Sequence, residues 1–263
     1  MSASPPGEES PNDDASLARR VAQVAGDLLL TLQRSDLFDG KALGRAGDRV
    51  ANAFIMEALA VARPDDAILS EEEAADSKRL AKSRVWIVDP LDGTREFGER
   101  RTDWAVHIAL AIDGIATLGA VALPGFPMVL ATDPPPQVLV AEGPLKMLVS
   151  RTRPAPQAVA VASKLGAELV PMGSAGAKAM AVVRGEAHIY LHAGGQYEWD
   201  SCAPVAVARA AGLWVSRIDG SVPRYNQENP YMPDLLICRP GVAARVLELC
   251  AMQTPQAGTS SSP

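Results

Sequence analysis

Val85-Trp86-Ile87-Val88-Asp89-Pro90-Leu91-Asp92-Gly93-Thr94 decides the reading of this chain. Four apolar residues without polar alternation suit a strand buried on both faces. The strand delivers Asp89, and a second carboxylate, Asp92, follows three residues later. Pro90 and Gly93 force a sharp turn between them. Such a turn lets both carboxylates and the intervening Leu91 carbonyl converge on one point. Oxygen-rich clusters of this kind suit hard divalent cations, Mg2+ first. Asp at such places also caps following helices, so the motif needs company before it reads as a metal site.

The company lies at the ends of other elements. Ala67-Ile68-Leu69 reads as a short strand that delivers Ser70-Glu71-Glu72-Glu73. Trp199-Asp200 opens a later helix and Asp48 starts an earlier one. Four acidic sites at element ends are what a multi-metal phosphoryl-transfer centre requires. Within the Glu run, Glu71 is the candidate ligand, while Glu73 reads equally well as a solvated loop residue.

The rest of the chain organises around these elements. A helix is expected from Asp14 or Ser16, with Leu17, Val21, Val24, Leu28 and Leu32 on its packed face. A second runs from Asp48 to Ala62, with Val50, Phe54, Ile55 and Leu59 on one side, stopped by Pro64. Ala105 to Ile112, Asp113-Gly114 and Ile115 to Leu123 read as a hairpin with a tight turn. The first half is thus two helices on a largely antiparallel sheet. Beyond a boundary near residue 145 the expected elements alternate: strand Val159–Ala162, strand near Leu169, helix Gly176–Arg184, strand Ala187–Leu191, helix Ser201–Ala211, strand Leu235–Cys238 and helix Val242–Met252. Alternation argues α/β. The divisions are tails at 1–13 and 253–263, an α+β half at 14–145 carrying the metal site, and an α/β half at 146–252 carrying the substrate site.

Composition excludes several classes. The chain has 263 residues and a net charge of −6, and no basic run interleaves with aromatics, so nucleic-acid binding is not expected. Cys202, Cys238 and Cys250 are odd in number and lack a CxxC spacing, which points to reduced, buried thiols. There is no signal-peptide pattern and no apolar run long enough for a membrane. A cytoplasmic protein is expected, and a homodimer is compatible with this reading.

Asp89-Pro90-Leu91-Asp92-Gly93-Thr94 resembles the signature of the inositol monophosphatase superfamily, and Trp199-Asp200 is similar to its second signature. Glu71-Glu72 stands where that family keeps an acidic pair, and Asp48 where it keeps an Asp behind the ligands. The resemblance spans about residues 15 to 250 and implies a layered αβαβα sandwich. It implies that Glu71, Asp89 and the Leu91 carbonyl hold one Mg2+, that Asp89, Asp92 and Asp200 hold a second, and that a looser third leans on Glu71. It further implies that Thr94, oriented by Asp48, and Glu71 position and deprotonate an attacking water. The resemblance implies as well that the amides at Gly93 and Thr94 take phosphate oxygens, that no phosphoenzyme forms and that Li+ inhibits.

Thr94-Arg95-Glu96-Phe97, Glu198-Trp199-Asp200-Ser201-Cys202-Ala203-Pro204 and Gly173-Ser174-Ala175-Gly176-Ala177-Lys178 resemble one branch of this family, the CysQ-type 3'-phosphoadenosine 5'-phosphate (PAP) phosphatases of sulfur assimilation. That branch implies substrate contacts at Gly93, Thr94, Arg95, Ser163, Gly173, Ser174, Lys178 and Asp200. Arg95 and Lys178 would meet the extra charge of a nucleotide carrying two phosphates. Ser163-Lys164 falls at the place of a serine-containing substrate loop, although the Arg expected there is absent. PAPS, the sulfated analogue, is a further substrate candidate. Inositol phosphate and fructose 1,6-bisphosphate are in-class alternatives, and a regulator binding Mg2+ and a phosphometabolite is the non-enzyme alternative. None of the histidines reads as catalytic. His107 reads as a core or cleft residue, His188 as outward-facing and His192 as part of a loop before Asp200, with Tyr225-Asn226 bordering the pocket.

Overall fold

The computed structural model describes residues 13–140 and 142–253. The tails expected at 1–13 and 253–263 fall outside these residues, except for Asp13 and Gln253. The first helix, α1 (Asp14–Arg34), is capped by the Asp13 carboxylate, which accepts from the Ala15 amide. Its buried stripe runs through Leu17, Ala18, Val21, Ala22, Ala25 and Leu29, whereas Val24 and Leu28, expected on that face, are largely outside it. The small residues mark the packed side because the helix lies close: a Cβ added at Gly26 would stand 2.7 Å from Pro124 Cγ. The second helix, α2 (Gly40–Ala62), begins at Gly40 rather than at Asp48 and buries Leu43, Gly44, Gly47, Ala51, Ile55 and Leu59. Val50, expected on the packed side, is exposed.

A first sheet follows, in the order β1 (Ala67–Ser70), β2 (Arg84–Asp92), β3 (Ala105–Ile112), β4 (Ile115–Leu123) and β5 (Met128–Ala131). Only β1 and β2 pair in parallel; the other neighbours are antiparallel. Asp113 and Gly114 make the hairpin turn with φ of 50° and 75°, the left-handed pair a two-residue turn requires. The short helix α3 (Thr94–Gly98) leaves β2 directly.

The second sheet comprises β6 (Lys146–Ser150), β7 (Glu168–Met172), β8 (Ile189–Tyr197), β9 (Trp214–Ser216) and β10 (Tyr231–Cys238), in the order β7-β6-β8-β10-β9. Four helices accompany it: α4 (Pro156–Leu165), α5 (Ala175–Val183), α6 (Glu198–Ala210) and α7 (Pro240–Ala251). The strand expected over Val159–Ala162 is part of α4. Pro156 sits in its first turn, Gly166 caps it with φ of 65°, and Ala158, Val161 and Ala162 are buried at helical spacing; a short apolar run does not by itself distinguish strand from helix.

Side-chain alternation stacks these parts into five layers. On β2, Trp86 and Val88 face α1 and α2, while Val85 and Ile87 face the other way. That second face packs on α5 and α6, which also pack on Leu148, Tyr190, Leu235 and Ile237 of the second sheet. The far side of the second sheet, with Met147, Ile189, Leu191 and Leu236, is covered by α4 and α7. The result is an αβαβα sandwich whose middle helices serve both sheets. No helix among the described residues is long and apolar enough to cross a membrane. The three cysteines are free and buried.

The middle layer has little slack. A Cβ at Gly119 on β4 would lie 2.9 Å from the Cα and carbonyl oxygen of Ala203 on α6. Gly119→Ala therefore has to push α6 off the sheet, and we expect a loss of about 1–3 kcal/mol. The readout is a lower urea midpoint at unchanged slope.

Candidate active site

Asp89 continues the odd-numbered face of β2 toward the middle layer, and Pro90 then breaks the strand. Pairing with β3 slips between Asp89 and Asp92, so the chain bulges and both carboxylates turn to the same side. The Leu91 amide donates to Asp89 Oδ1 at 3.0 Å, closing the turn. Gly93 has φ of 90°, and a Cβ there would stand 3.2 Å from side chains of both Ser174 and Trp104; only glycine fits. Asp200 enters from the first turn of α6, its carboxylate accepting from the Tyr197 amide at 2.6 Å. One carboxylate oxygen from each of Asp89, Asp92 and Asp200 lies within 4.8 Å of the others. Glu71, just past β1, hydrogen-bonds with Asp89 and completes the group.

These carboxylates differ sharply in charge state. Burial raises Asp89, and the charges of Glu71, Asp92 and Asp200 raise it further, well above the ordinary carboxylate range. Burial and the Asp92 charge push Asp200 to about 7. Burial and the Asp200 charge push Glu71 to about 7. Asp92 is the exception. Burial would raise it too, but His107, the Ser174 hydroxyl and Lys178 outweigh that and hold it at about 2.

The protection of Asp92 is built by α5. The Ser174 hydroxyl donates to Oδ2 at 2.5 Å, and the amides of Ala175 and Gly176 donate to Oδ1 and Oδ2 at 3.1 and 2.7 Å. Ser174 takes a φ of 43°, a strained value for a residue with a Cβ, and its hydroxyl also receives the Ala177 amide at 2.9 Å. His107, fully buried, places Nε2 3.2 Å from Asp92 Oδ2 while Nδ1 lies 3.0 Å from the Trp199 carbonyl. A Cβ at Gly176 would stand 2.0 Å from that Nε2, so the helix approaches only because the position is bare.

Thr94 supplies a hydroxyl at the edge of the cluster. It donates between Asp48 Oδ1, at 3.2 Å, and the Leu91 carbonyl, at 3.1 Å. Burial and the Glu72 charge raise Asp48 to about 6. The structure thus brings Glu71, Asp89, Asp92 and Asp200 together and stands Thr94 and Asp48 beside them.

The expected substrate residues divide. Gly93, Thr94, Arg95, Gly173, Ser174 and Lys178 all border one cavity of about 270 Å³. Arg95 is exposed at its mouth. Lys178 is not: its ammonium is buried and donates to the carbonyls of Gly173 and Ser174 at 3.0 and 2.6 Å, bracing the turn from beneath. Ser163 lies elsewhere. It is exposed on α4, in the outer layer, so Ser163-Lys164 is no substrate loop. The serine-and-arginine segment at the cavity is Ser150-Arg151-Thr152-Arg153, at the end of β6. Arg151 ties it to α3 through Glu96 and Glu99, both at 2.8 Å. His192 lies in β8 rather than in a loop, with burial and then Lys178 depressing it to about 4. His188 is half-buried and its Nδ1 accepts from the Lys146 amide at 3.2 Å. Tyr225 is buried in the middle core, its hydroxyl 3.2 Å from Ser201 Oγ, away from this cavity.

The donor set fits a hard divalent cation. Every candidate ligand is oxygen, and three of the four carboxyls are raised by burial and by one another's charge. Asp89, Asp92 and Asp200, with Glu71 and the Leu91 carbonyl, are the residues that would hold it.

A layered αβαβα scaffold with a carboxylate cluster where its two sheets share helices defines a metal-carboxylate sandwich. The chain belongs to the inositol monophosphatase family, whose profile matches residues 16–251. It is 49% identical over 249 residues to the 3'-phosphoadenosine 5'-phosphate phosphatase of Mycobacterium leprae, covering 89% of this chain and 92% of that protein. It is 32% identical over 200 residues to the 3'(2'),5'-bisphosphate nucleotidase CysQ of Salmonella typhimurium, covering 71% and 81%. Among solved structures, CysQ from Bacteroides thetaiotaomicron superposes with a TM-score of 0.73 at 25% identity, covering 86% of this chain and 97% of that one.

The raised carboxyls set a pH dependence. A carboxyl raised from about 4 to about 7 is protonated at no cost below the lower value and opposes folding progressively as pH climbs through the window. Bound cation removes that penalty and binds the ionised forms only. The rise in Tm on adding Mg2+ should therefore be larger at pH 8 than at pH 5, as read by differential scanning fluorimetry. An equal shift at both values refutes this electrostatic account.

Proposed function

We propose that this chain is a Mg2+-dependent phosphatase that removes the 3'-phosphate of PAP, and of PAPS, giving AMP or APS and inorganic phosphate. The observation that carries the reading is the Thr94 hydroxyl, fixed between Asp48 and the Leu91 carbonyl beside the carboxylate cluster. A protein that merely bound a phosphometabolite would have no use for a hydroxyl so directed. The identity to relatives named PAP phosphatase supports the choice of substrate.

The roles follow from the geometry. Thr94 points its proton at Asp48 and Leu91, which leaves its lone pairs to accept a hydrogen bond from the attacking water. Glu71, beside Asp89 at the edge of the cluster, is placed to act as the base. Mg2+, when bound, neutralises charge on the phosphate and lowers the pKa of water. The new O–P bond forms opposite the ribose O3', Glu71 takes the proton that the water loses, the P–O3' bond breaks with its electron pair going to O3', and O3' takes up a proton from solvent water. Asp92, held at about 2, stays charged throughout and fixes the cluster's position. Arg95 and Arg153, both exposed at the cavity edge, meet the remaining negative charge. Two or three Mg2+ per site, inhibition by Li+, a cytoplasmic setting and the recycling of PAP in sulfur assimilation belong to the same proposal.

Phosphate release from PAP, inositol 1-phosphate and fructose 1,6-bisphosphate, measured side by side, tests the substrate. PAP should give the highest kcat/KM, and a clear preference for either of the others overturns the choice. Asp89→Asn and Asp200→Asn should each cost roughly a hundredfold or more in kcat, since losing even an outer partner of a metal ligand costs about 10–100-fold. Circular dichroism should show both variants folded. Millimolar Li+ should inhibit at Mg2+ concentrations that support turnover, and full insensitivity would argue for a different cation arrangement.

A further inference from the structure

The chain between β1 and β2, residues 71–83, carries Glu71 and is exposed from Glu71 to Lys78. Ionised, Glu71 is repelled by Asp200 and Asp92, so this segment has to be kept turned toward the cluster. Its near end is held by α2. The Ser70 hydroxyl donates to Asn52 Oδ1 at 2.8 Å, and the Asn52 side-chain amide donates to Glu73 Oε1 at 2.8 Å. The far end is held by one arginine. A 3-10 turn over Ser77–Ala81 carries Arg79, which is buried although Lys78 and Leu80 on either side are exposed. Its Nη1 donates to Asn226 Oδ1 at 2.7 Å, and its Nη2 to the carbonyls of Gln227 and Glu228 at 2.7 and 3.3 Å. Asn226 returns the bond, its side-chain amide donating to the Arg79 carbonyl at 3.0 Å. A rigid guanidinium fork meets several acceptors at once, which an ammonium cannot copy.

The other side of this contact leads back to the cluster. Asn226 takes a φ of 59°, a backbone form that aims successive amides at one anion. The amides of Asn226 and Gln227 donate to the two oxygens of Glu198 at 2.6 and 2.7 Å. Glu198 is buried in the first turn of α6, two residues before Asp200, and its own amide donates to the Pro230 carbonyl at 2.8 Å. The Tyr225 amide donates to the Gly114 carbonyl at 3.0 Å, which fixes the same stretch to the β3–β4 turn. Arg79 therefore ties the exposed segment that carries Glu71 to a rigid stretch that also holds the start of α6. None of Arg79, Asn226 and Glu198 lines the cavity beside Ser150–Arg153. What they influence is the separation of two carboxylates, one on each side of the contact.

We infer that Arg79 and Asn226 form a clasp that sets the position of Glu71 against Asp200, and with it the affinity of the carboxylate cluster for Mg2+. This rests on the reading of Glu71 as cation ligand and base. Both are positioning residues, acting through Glu71 and through Glu198 at the foot of α6. Without the clasp, repulsion among the carboxylates swings the exposed segment outward, and more Mg2+ is needed to draw Glu71 back.

The test follows Mg2+ binding and the opening of the segment as well as turnover. Asn226→Gly keeps the left-handed turn and the amides given to Glu198 while removing the side chain. Arg79→Lys keeps the charge and loses the fork. Calorimetric titration with Mg2+ should show each variant about tenfold or more weaker than wild type, the order expected when an outer partner of a ligand is lost. The double variant should lose no more than the worse single one, because both act through one contact. Amide hydrogen exchange should quicken across residues 71–78 and not in α1 or β3. With Mg2+ raised to saturation, KM for PAP should lie within about twofold of wild type. Asp14→Asn is the control for lost stability. It breaks ion pairs with Arg63 and Arg84, at 2.6 and 2.9 Å, at the opposite end of β2 from Asp89. It should lower Tm and leave Mg2+ affinity unchanged. Unchanged Mg2+ affinity in both clasp variants, additive losses in the double, exchange quickened throughout, a KM for PAP still raised at saturating Mg2+, or an equal loss in Asp14→Asn overturns the clasp. A wild-type protein that binds Mg2+ yet releases no phosphate from PAP overturns the phosphatase reading, while the titration and the exchange still decide the clasp. A wild-type protein that binds no Mg2+ overturns both.

Discussion

Carboxylates crowded around one point, two of them buried, repel one another, and that repulsion is what the surrounding structure has to manage. Asp89, Asp92, Asp200 and Glu71 cannot all be ionised without compensating charge. The fold resolves this unevenly. It spends the start of α5, the Ser174 hydroxyl and His107 on Asp92 alone, so that one member is charged at any working pH. The others are left to share protons or to receive a cation. One fixed anion and three adjustable ones make a site that is both held in place and responsive to metal.

That division explains why the middle helices serve both sheets. Asp89, Asp92 and the His107 beside Asp92 come from the first sheet, whereas Asp200 comes from α6 and the Ser174, Ala175 and Gly176 donors to Asp92 come from the start of α5. The turn at Gly173 is pinned to the first part of the chain as well. Its amide donates to Asp103 at 2.7 Å, and Lys178 ties its carbonyls from below. Glu198, two residues before Asp200 in the same first turn of α6, accepts the amides of Asn226 and Gln227 at 2.6 and 2.7 Å and anchors that end of the helix. The site is held by layers that meet, so its geometry is a property of the core.

The acidic residues are legible in the sequence because each ends a strongly apolar run or sits in a short motif. The layered architecture is legible for the same reason, since strands apolar on both faces demand cover on both sides. The partners of Asp92 are not legible. His107 reads as a core histidine on its strand, and its contact exists only because Gly176 arrives bare from another part of the chain. Lys178 reads as a substrate-binding cation in a small-residue stretch, yet its ammonium is buried among carbonyls. The serine-and-arginine segment after β6 escapes notice because β6 is short and borders polar, proline-rich chain, so Ser163 takes its place in the reading. The N-terminal turns of α2 are missed because Asp48 resembles a cap.

The alternation along β2 behaves like a reading frame. Val85, Ile87 and Asp89 occupy one phase, Trp86 and Val88 the other. Inserting one residue before Asp89 would change the phase. The carboxylate would then point into the aliphatic layer under α1 and α2, and an apolar side chain would replace it among the acids. Inserting two residues would keep the phase but carry Asp89 about 7 Å along the strand, beyond its partners. The length of this strand, and not only its ending, is therefore part of the information that specifies the site.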